Sequence, residues 1–432
     1  MQYVSNKVVV FGPGPQFKGG LANYTLSLAK ALDTLYFETT IISWTQQYPA
    51  IVPRDFIDRA TKSDKLAGSN VRVEYITNYN NPATWKNTVA AIVAIQPQVV
   101  IFQWSIAIQG LPLYFITKWL KKKLPNTEII FDLHFVIQKE QSKLDRYLSK
   151  LALNNAHTFV VHALKTFEEL KQLLPHRKYT LTETGKRTST QGSTHVIKLF
   201  HPVYDMFKPR ADFDVAAFKA KNGLKAHVFL FFGFIRKYKG LHHCIHAFNE
   251  LCRLRDDVSL LIVGESFWHT LDERKWSTRL KNFFFKTAKR LFLSNKEDEK
   301  DYRPLELIEQ YGLQDKVMVV NSFVADEDVY QYFQVSDAIL LFYEYATPSG
   351  VESMAYNFKL PILATSVGHF PETVKHGYNG YLAPPGQHEA MAAIMQQAII
   401  QPIPAAHVDA SASAFSWENY ARAIMHPYFI VP

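Results

Sequence analysis

Short apolar runs punctuate the chain at regular intervals. Lys7–Gly12, Thr39–Ser43, Val71–Tyr75, Val99–Trp104, Ile129–Leu133 and Thr158–His162 each have the length and composition of a buried strand. Between them lie stretches of helical period. Leu21–Leu35 places apolar residues at 21, 24, 28, 31, 32 and 35, and Pro82–Ile95, Pro112–Leu124 and Leu144–Asn155 read as helices too. Lys186–Ser193 reads as a polar surface loop. The alternation then starts again with Val228–Gly233, a helix over Gly240–Cys252, and strands at Val258–Val263, Val317–Val320, Ala338–Phe342, Ile362–Thr365 and Gly380–Ala383. Strand–helix alternation of this kind predicts α/β architecture with parallel, doubly wound sheets.

A chain of 432 residues is too long for one ordinary domain, so the second alternation is read as a second unit. Hydrophobic content of 47% and charged content of 20% describe a well-buried globular protein. The formal charge of +9 favours acidic partners such as nucleotide phosphates or anionic lipid heads. Nucleic acid would also suit the charge, but no recognition motif accompanies it. No apolar run approaches the roughly 18 residues that span a bilayer. The start, MQYVSNKVVV, lacks the apolar core and small-residue cleavage site of a signal peptide. Cys244 and Cys252 fall on one predicted helix and suit reduced thiols. A cytoplasmic protein is the expectation.

The stretch from Leu340 to Thr365 carries the most chemistry. A strand ends near Phe342, a loop follows, and a helix over Val351–Phe358 stops before Leu360–Pro361. Glu344 lies at the strand's carboxyl end and Glu352 in the first helical turn, on the sheet edge where ligands sit. The backbone N–H groups of Ser349, Gly350 and Val351 would face the same crevice and could bind an anion. Two carboxylates that grip hydroxyls, beside a nest for phosphate, suit a nucleotide-sugar. The spacing fits equally a Glu352 that complements the helix dipole and a solvated Glu344. Gly12-Pro13-Gly14 through Gly19-Gly20 forms a glycine-rich strand-to-helix loop that matches neither a dinucleotide fingerprint nor a Walker loop. It serves a tight turn as well as a phosphate. Arg236 and Lys239, between a strand and a helix, suit a diphosphate, although basic loop residues are commonly solvated.

These residues also carry a family resemblance. Glu344, seven residues and Glu352 in Gly-Val-Glu-Ser-Met-Ala resemble the E-x7-E signature of the retaining GT-B glycosyltransferases of family GT4. Leu360–Gly368, His369-Phe370-Pro371-Glu372, Gly377–Leu382 and Pro384-Pro385-Gly386 continue that family's pattern in register. Phe200-His201-Pro202-Val203-Tyr204 through Pro209 resembles its interdomain passage, and Phe415-Ser416-Trp417 its closing element. Phe232–Gly240 is similar to its phosphate-binding loop, with Phe234 where an arginine would follow the glycine and Arg236 two positions late.

The resemblance implies a GT-B fold, two Rossmann-like doubly wound domains facing across a cleft. Residues 1–205 would bind the acceptor, joined by a C-terminal helix at 417–432, and residues 206–416 would bind the donor. It implies retaining transfer from a UDP- or GDP-linked sugar, with no further cofactor. By this resemblance His134 faces the transfer centre, Arg236 and Lys239 the leaving diphosphate, Glu344 the sugar and Glu352 the ribose. Gly19, Gly20, Gly233, Ser349, Gly350 and Val351 would complete donor binding, and a glycan or lipid-linked saccharide would be the acceptor.

Metal use is not expected. Asp326-Glu327-Asp328 reads as the start of a helix, and His242 and His246 form an i,i+4 pair with no further ligand set apparent in the sequence. Residues 266–304 are an insertion relative to the family. Its Lys275–Leu293 portion is basic and aromatic-rich, suited either to a membrane surface or to packing on its own domain. Two other functions fit the same fold: a nucleotide-binding protein without catalysis, and a sugar-nucleotide epimerase or hydrolase.

Overall fold

The computed structural model describes residues 6–49, 56–136, 143–187, 192–204, 206–266, 302–346, 350–413 and 415–429. The basic aromatic stretch 275–293 lies outside the described residues, as do most of the insertion 266–304 and Ser349. No described helix is long and apolar enough to cross a membrane.

Two sheets carry the fold. The first comprises β1 (Lys7–Phe11), β2 (Glu38–Gln46), β3 (Arg72–Asn78), β4 (Val99–Trp104), β5 (Glu128–Leu133), β6 (Thr158–Val161), β7 (Lys178–Thr182) and β8 (Ser193–Lys198). Its order is β3-β2-β1-β4-β5-β6-β8-β7. The second comprises β9 (His227–Phe232), β10 (Val258–Val263), β11 (Val317–Val320), β12 (Ala338–Leu341), β13 (Ile362–Thr365) and β14 (Gly380–Ala383), in the order β11-β10-β9-β12-β13-β14. Every pairing within both sheets is parallel. The central strands β1, β4, β10 and β12 are buried at nearly every position, as expected of strands covered on both faces.

Strand order reverses between β1 and β4 in the first sheet and between β9 and β12 in the second. These switch points open a crevice beyond the strands' carboxyl ends. The glycine loop follows β1, and the Gly233–Lys239 loop follows β9.

One buried carboxylate ties the first sheet together. Asp132, near the end of β5 and fully buried, accepts from Tyr24 Oη at 2.9 Å and Tyr420 Oη at 3.0 Å. His162 Nε2 lies 2.9 Å from its other oxygen. Burial alone would raise the Asp132 pKa, but the neighbouring His162, His134 and Tyr24 hydroxyl together outweigh it and hold the group below the usual carboxylate value. Tyr24 belongs to the helix after the glycine loop (Gly20–Thr34), and Tyr420 to a late helix (Trp417–Ile424) that packs on it. The end of the chain thus returns to the first sheet.

Asp326-Glu327-Asp328 forms a single 3-10 turn that leads into the helix Val329–Gln334, so a helix does start here, but Asp328 at its N-cap makes no side-chain capping bond, contrary to the capping role expected of these acids. They reach across to the loop after β2 instead. Asp326 pairs with Lys65 at 2.8 Å, Lys65 also pairs with Asp58 at 2.8 Å, and Glu327 accepts from the Lys62 N–H at 3.0 Å.

The Asp132 cluster predicts a graded response to substitution. Asp132→Ala removes the acceptor from three buried partners and should cost about 3–5 kcal/mol. Tyr420→Phe removes the hydroxyl's contacts with Asp132 and with the Tyr24 hydroxyl but leaves the carboxylate its other partners, and should cost about 1–2 kcal/mol. Urea unfolding followed by tryptophan fluorescence reads both, and equal losses would contradict the central place of the carboxylate.

Candidate active site

A cleft of about 200 Å³ lies between the two switch points. Gly19, Gly20 and Asn23 line it from the first unit, and Gly233, Lys239, Gly350 and Val351 from the second. Gly264 and Glu265 after β10, with Phe323 and Val324 after β11, form a further wall.

Local backbone geometry explains why these residues meet. Tyr204 in the interdomain passage donates its hydroxyl to Gly20 O at 2.7 Å. A side chain on Gly350 would come within 2.4 Å of the Tyr204 ring, so glycine there lets the helix start press against the passage. That helix, Gly350–Asn357, presents its first turn to the cleft. The N–H groups of a helix's first turn and its positive dipole end suit an anion. Lys239 is 8% exposed, and its Nζ lies 3.0 Å from where a Gly233 Cβ would sit. A desolvated ammonium beside a helix start is a strong attractor for a diphosphate.

The other candidates are placed differently. Glu352 is buried in the first turn of its helix but does not line this cleft. Its Oε2 bonds His369 Nε2, whereas its Oε1 has no hydrogen-bond partner among the described residues. Helical geometry turns Glu352 toward the loop carrying His369 while Gly350 and Val351 face the opening. Arg236 is half-buried outside the lining residues. Glu344 also stands outside the cleft lining, 3.3 Å from His242 Nε2 and 3.6 Å from His243 Nε2.

His134 sits just past β5, behind the glycine-loop helix. Its ring meets the Tyr24 ring edge-on at 4.5 Å, and its Nε2 lies 2.7 Å from Gln103 Oε1. Burial lowers its pKa to about 4, and burial with the nearby His162 lowers that of His201 to about 3. A neutral His134 facing the carbonyl oxygen of Gln103 carries its proton on Nε2.

Sequence reasoning missed the Asp132–Tyr24–Tyr420 cluster, Tyr204, His369 and the Phe323 wall. Asp132 left a signal, since Asp132 and His134 stand two apart at a strand end and so point to one side, and Tyr204 and His369 lie inside the interdomain and His-Phe-Pro-Glu motifs.

The fold is that of the GT-B glycosyltransferases. Anabaena HepE in complex with UDP-glucose superposes with a TM-score of 0.65 at 15% identity, over 98% of this chain and 99% of that one. Sucrose-phosphate synthase from Thermosynechococcus elongatus gives 0.61 at 17% identity over 98% of each chain. A glycosyltransferase from Rickettsia africae gives 0.63 at 17% identity, over 99% of this chain and 98% of that one. No curated protein sequence matches the chain. Residues 212–415 match the family profile "Glycosyl transferases group 1".

The depressed histidines predict how stability varies with pH. His134 and His201 stay neutral in the fold at about pH 4 and 3, whereas the unfolded imidazole titrates near 6.5. Between those limits the unfolded chain binds more protons, so stability falls as pH drops from about 6.5 toward 4. The melting temperature should decline over this window, less steeply in His201→Gln. A flat profile from pH 7 to 5 would contradict the burial of these rings.

Proposed function

We propose that this protein is a retaining glycosyltransferase of the GT4 type. It moves a sugar from a UDP- or GDP-linked donor to a glycan or lipid-linked saccharide. The observation that carries the reading is the buried Lys239 ammonium in a cleft that also holds the Gly350 helix start. Both are aimed where a leaving diphosphate would lie. Three similar structures were determined with UDP, with UDP and glucose, and with UDP-glucose. That supports a nucleotide-sugar as donor here.

In the proposed reaction the glycosidic C–O bond to the diphosphate breaks ahead of bond formation. The acceptor hydroxyl attacks the same face of an oxocarbenium-like carbon, and its proton passes to the departing phosphate oxygen. Lys239 and the Gly350 and Val351 amides stabilise the charge that builds on that phosphate, and Arg236 approaches it when the donor binds. Glu344 grips sugar hydroxyls. Glu352 exchanges part of its His369 contact for the ribose, using the carboxylate oxygen that has no hydrogen-bond partner among the described residues. His134, neutral and oriented by Gln103, contacts the sugar from the first unit. Positioning and charge stabilisation suffice for this step without a metal.

Residues 1–205 serve as the acceptor unit and residues 206–416 as the donor unit in this reading. The basic stretch 275–293 suits contact with an anionic membrane surface, where a lipid-linked acceptor would be met on the cytoplasmic side.

A thermal-shift screen against UDP, GDP, ADP and their sugar conjugates tests the proposal, because a ligand that binds only the folded chain raises its melting temperature. One base should stand out. Lys239→Ala should weaken that shift and lower the rate of sugar transfer by about 10²–10³-fold, as expected when one charge-stabilising donor is lost. No shift with any nucleotide, or release of free sugar or an epimer with no transfer to acceptor, would overturn the reading.

A further inference from the structure

We propose that His242, His243 and Glu344 form a binding site for a divalent transition-metal ion of the zinc class. The site's existence is independent of the glycosyltransferase reading, and only its effect on turnover rests on that reading.

Backbone contacts bring the three residues together. His242 and His243 occupy the first turn of the helix Leu241–Cys252. Gly240 before it has φ +64°, and a side chain there would come within 2.0 Å of Phe342 O. The helix start is therefore pressed onto the end of β12, two residues before Glu344. The Glu344 N–H donates to Tyr238 O at 2.8 Å, which fixes the loop from the other side.

The side-chain geometry then fits an ion. His242 Nε2 stands 3.3 Å and His243 Nε2 3.6 Å from the same Glu344 oxygen, Oε1. All three ligand atoms lie within 4.8 Å of one another. Zinc takes nitrogen and oxygen at about 2.0–2.2 Å, so a tetrahedral centre sets neighbouring ligand atoms about 3.3–3.5 Å apart. Both distances are longer than the usual N–H···O hydrogen bond. They match a coordination edge better.

The far side of each ring is already engaged. His242 Nδ1 meets Tyr302 Oη at 2.9 Å, and His243 Nδ1 meets His388 Nε2 at 2.9 Å. With Nδ1–H donating to these partners, both Nε2 lone pairs point toward the carboxylate. Supporting contacts of this kind orient metal-bound histidines. His388 in turn stacks on His246 at 4.6 Å. The three side chains are 20%, 15% and 31% exposed, which leaves room for a water or ligand in the fourth position.

Two nitrogens and one carboxylate oxygen suit zinc, and copper or nickel would compete for the same set. The sequence reading paired His242 with His246 and found no third ligand. The structure uses adjacent histidines and a glutamate from the other side of the switch point. An ion held here would occupy the carboxylate assigned to the sugar hydroxyls and oppose donor binding.

The test uses the full chain, freed of metal with a chelator and titrated with Zn²⁺ by calorimetry and with Co²⁺ by visible absorption. One ion per chain is expected, with cobalt showing the intense bands of a four- or five-coordinate centre. His243→Ala and Glu344→Gln should each weaken Zn²⁺ binding at least tenfold. His227→Ala, at the opposite end of β9, should leave it unchanged. Melting curves of the metal-free variants show that each folds. Zn²⁺ binding that is absent, or equally tight in all three variants, overturns the site. Nucleotide binding is read separately by thermal shift. A chain that binds nucleotide and no metal sinks this site alone, and one that binds metal and no nucleotide sinks the transferase reading alone.

Discussion

A single carboxylate, Asp132, is buried at the end of β5 where three parts of the chain must meet. The helix after the glycine loop reaches it through Tyr24, the end of β6 through His162, and the last helix through Tyr420. A buried charge without partners would be costly, and each of these groups lowers that cost only in its native position. The glycine-loop helix is thereby fixed against the first sheet, and with it the wall of the cleft formed by Gly19 and Gly20. The closing helix is held by the same oxygen, 288 residues along the chain from it. The placement of the first unit's half of the site follows from this contact.

The second unit solves a different problem, which is to hold charge ready for a ligand that arrives charged. Its strands are short and apolar, so all polar work falls on the loops at their carboxyl ends. Lys239 is buried beside Gly233, and the helix at Gly350 is brought close by Tyr204, which also bonds to Gly20 across the cleft. Further contacts between the units support this closure. Lys18 lies over the Phe323 ring at 4.9 Å, and Lys65 bridges Asp58 and Asp326. Lys198 pairs with Glu372 at 3.2 Å. Positive groups and helix starts inside such a closed cleft act in a low dielectric and need little rearrangement when a diphosphate enters.

Much of this was legible in the sequence because buried parallel strands are near-continuous apolar runs. Val258–Val263, Val317–Val320 and Ile362–Thr365 are read from the pattern to the residue. β7, Lys178–Thr182, is an edge strand with exposed and half-exposed positions, and KYTLT carries no such run. Gly19, Gly20, Gly233, Lys239, Gly350 and Val351 do line one cleft, since their position at strand ends is a property of topology. The directions of Glu344 and Glu352 were not legible. Each is set by a histidine on another element, and nothing in the spacing of His242 or His369 pairs it with its glutamate. The Asp132 cluster was hidden for the same reason, because its partners are far apart along the chain.

The most direct test of the account is a crystal structure of the protein with the nucleoside diphosphate that stabilises it best. The diphosphate is expected to lie between the two units. Its oxygens should be within hydrogen-bond distance of Lys239 Nζ and of a backbone N–H at Gly350 or Val351, with Glu352 turned from His369 toward the ribose. A nucleotide seated elsewhere, for instance in the larger hollow beside Glu183 and Arg422, would contradict it.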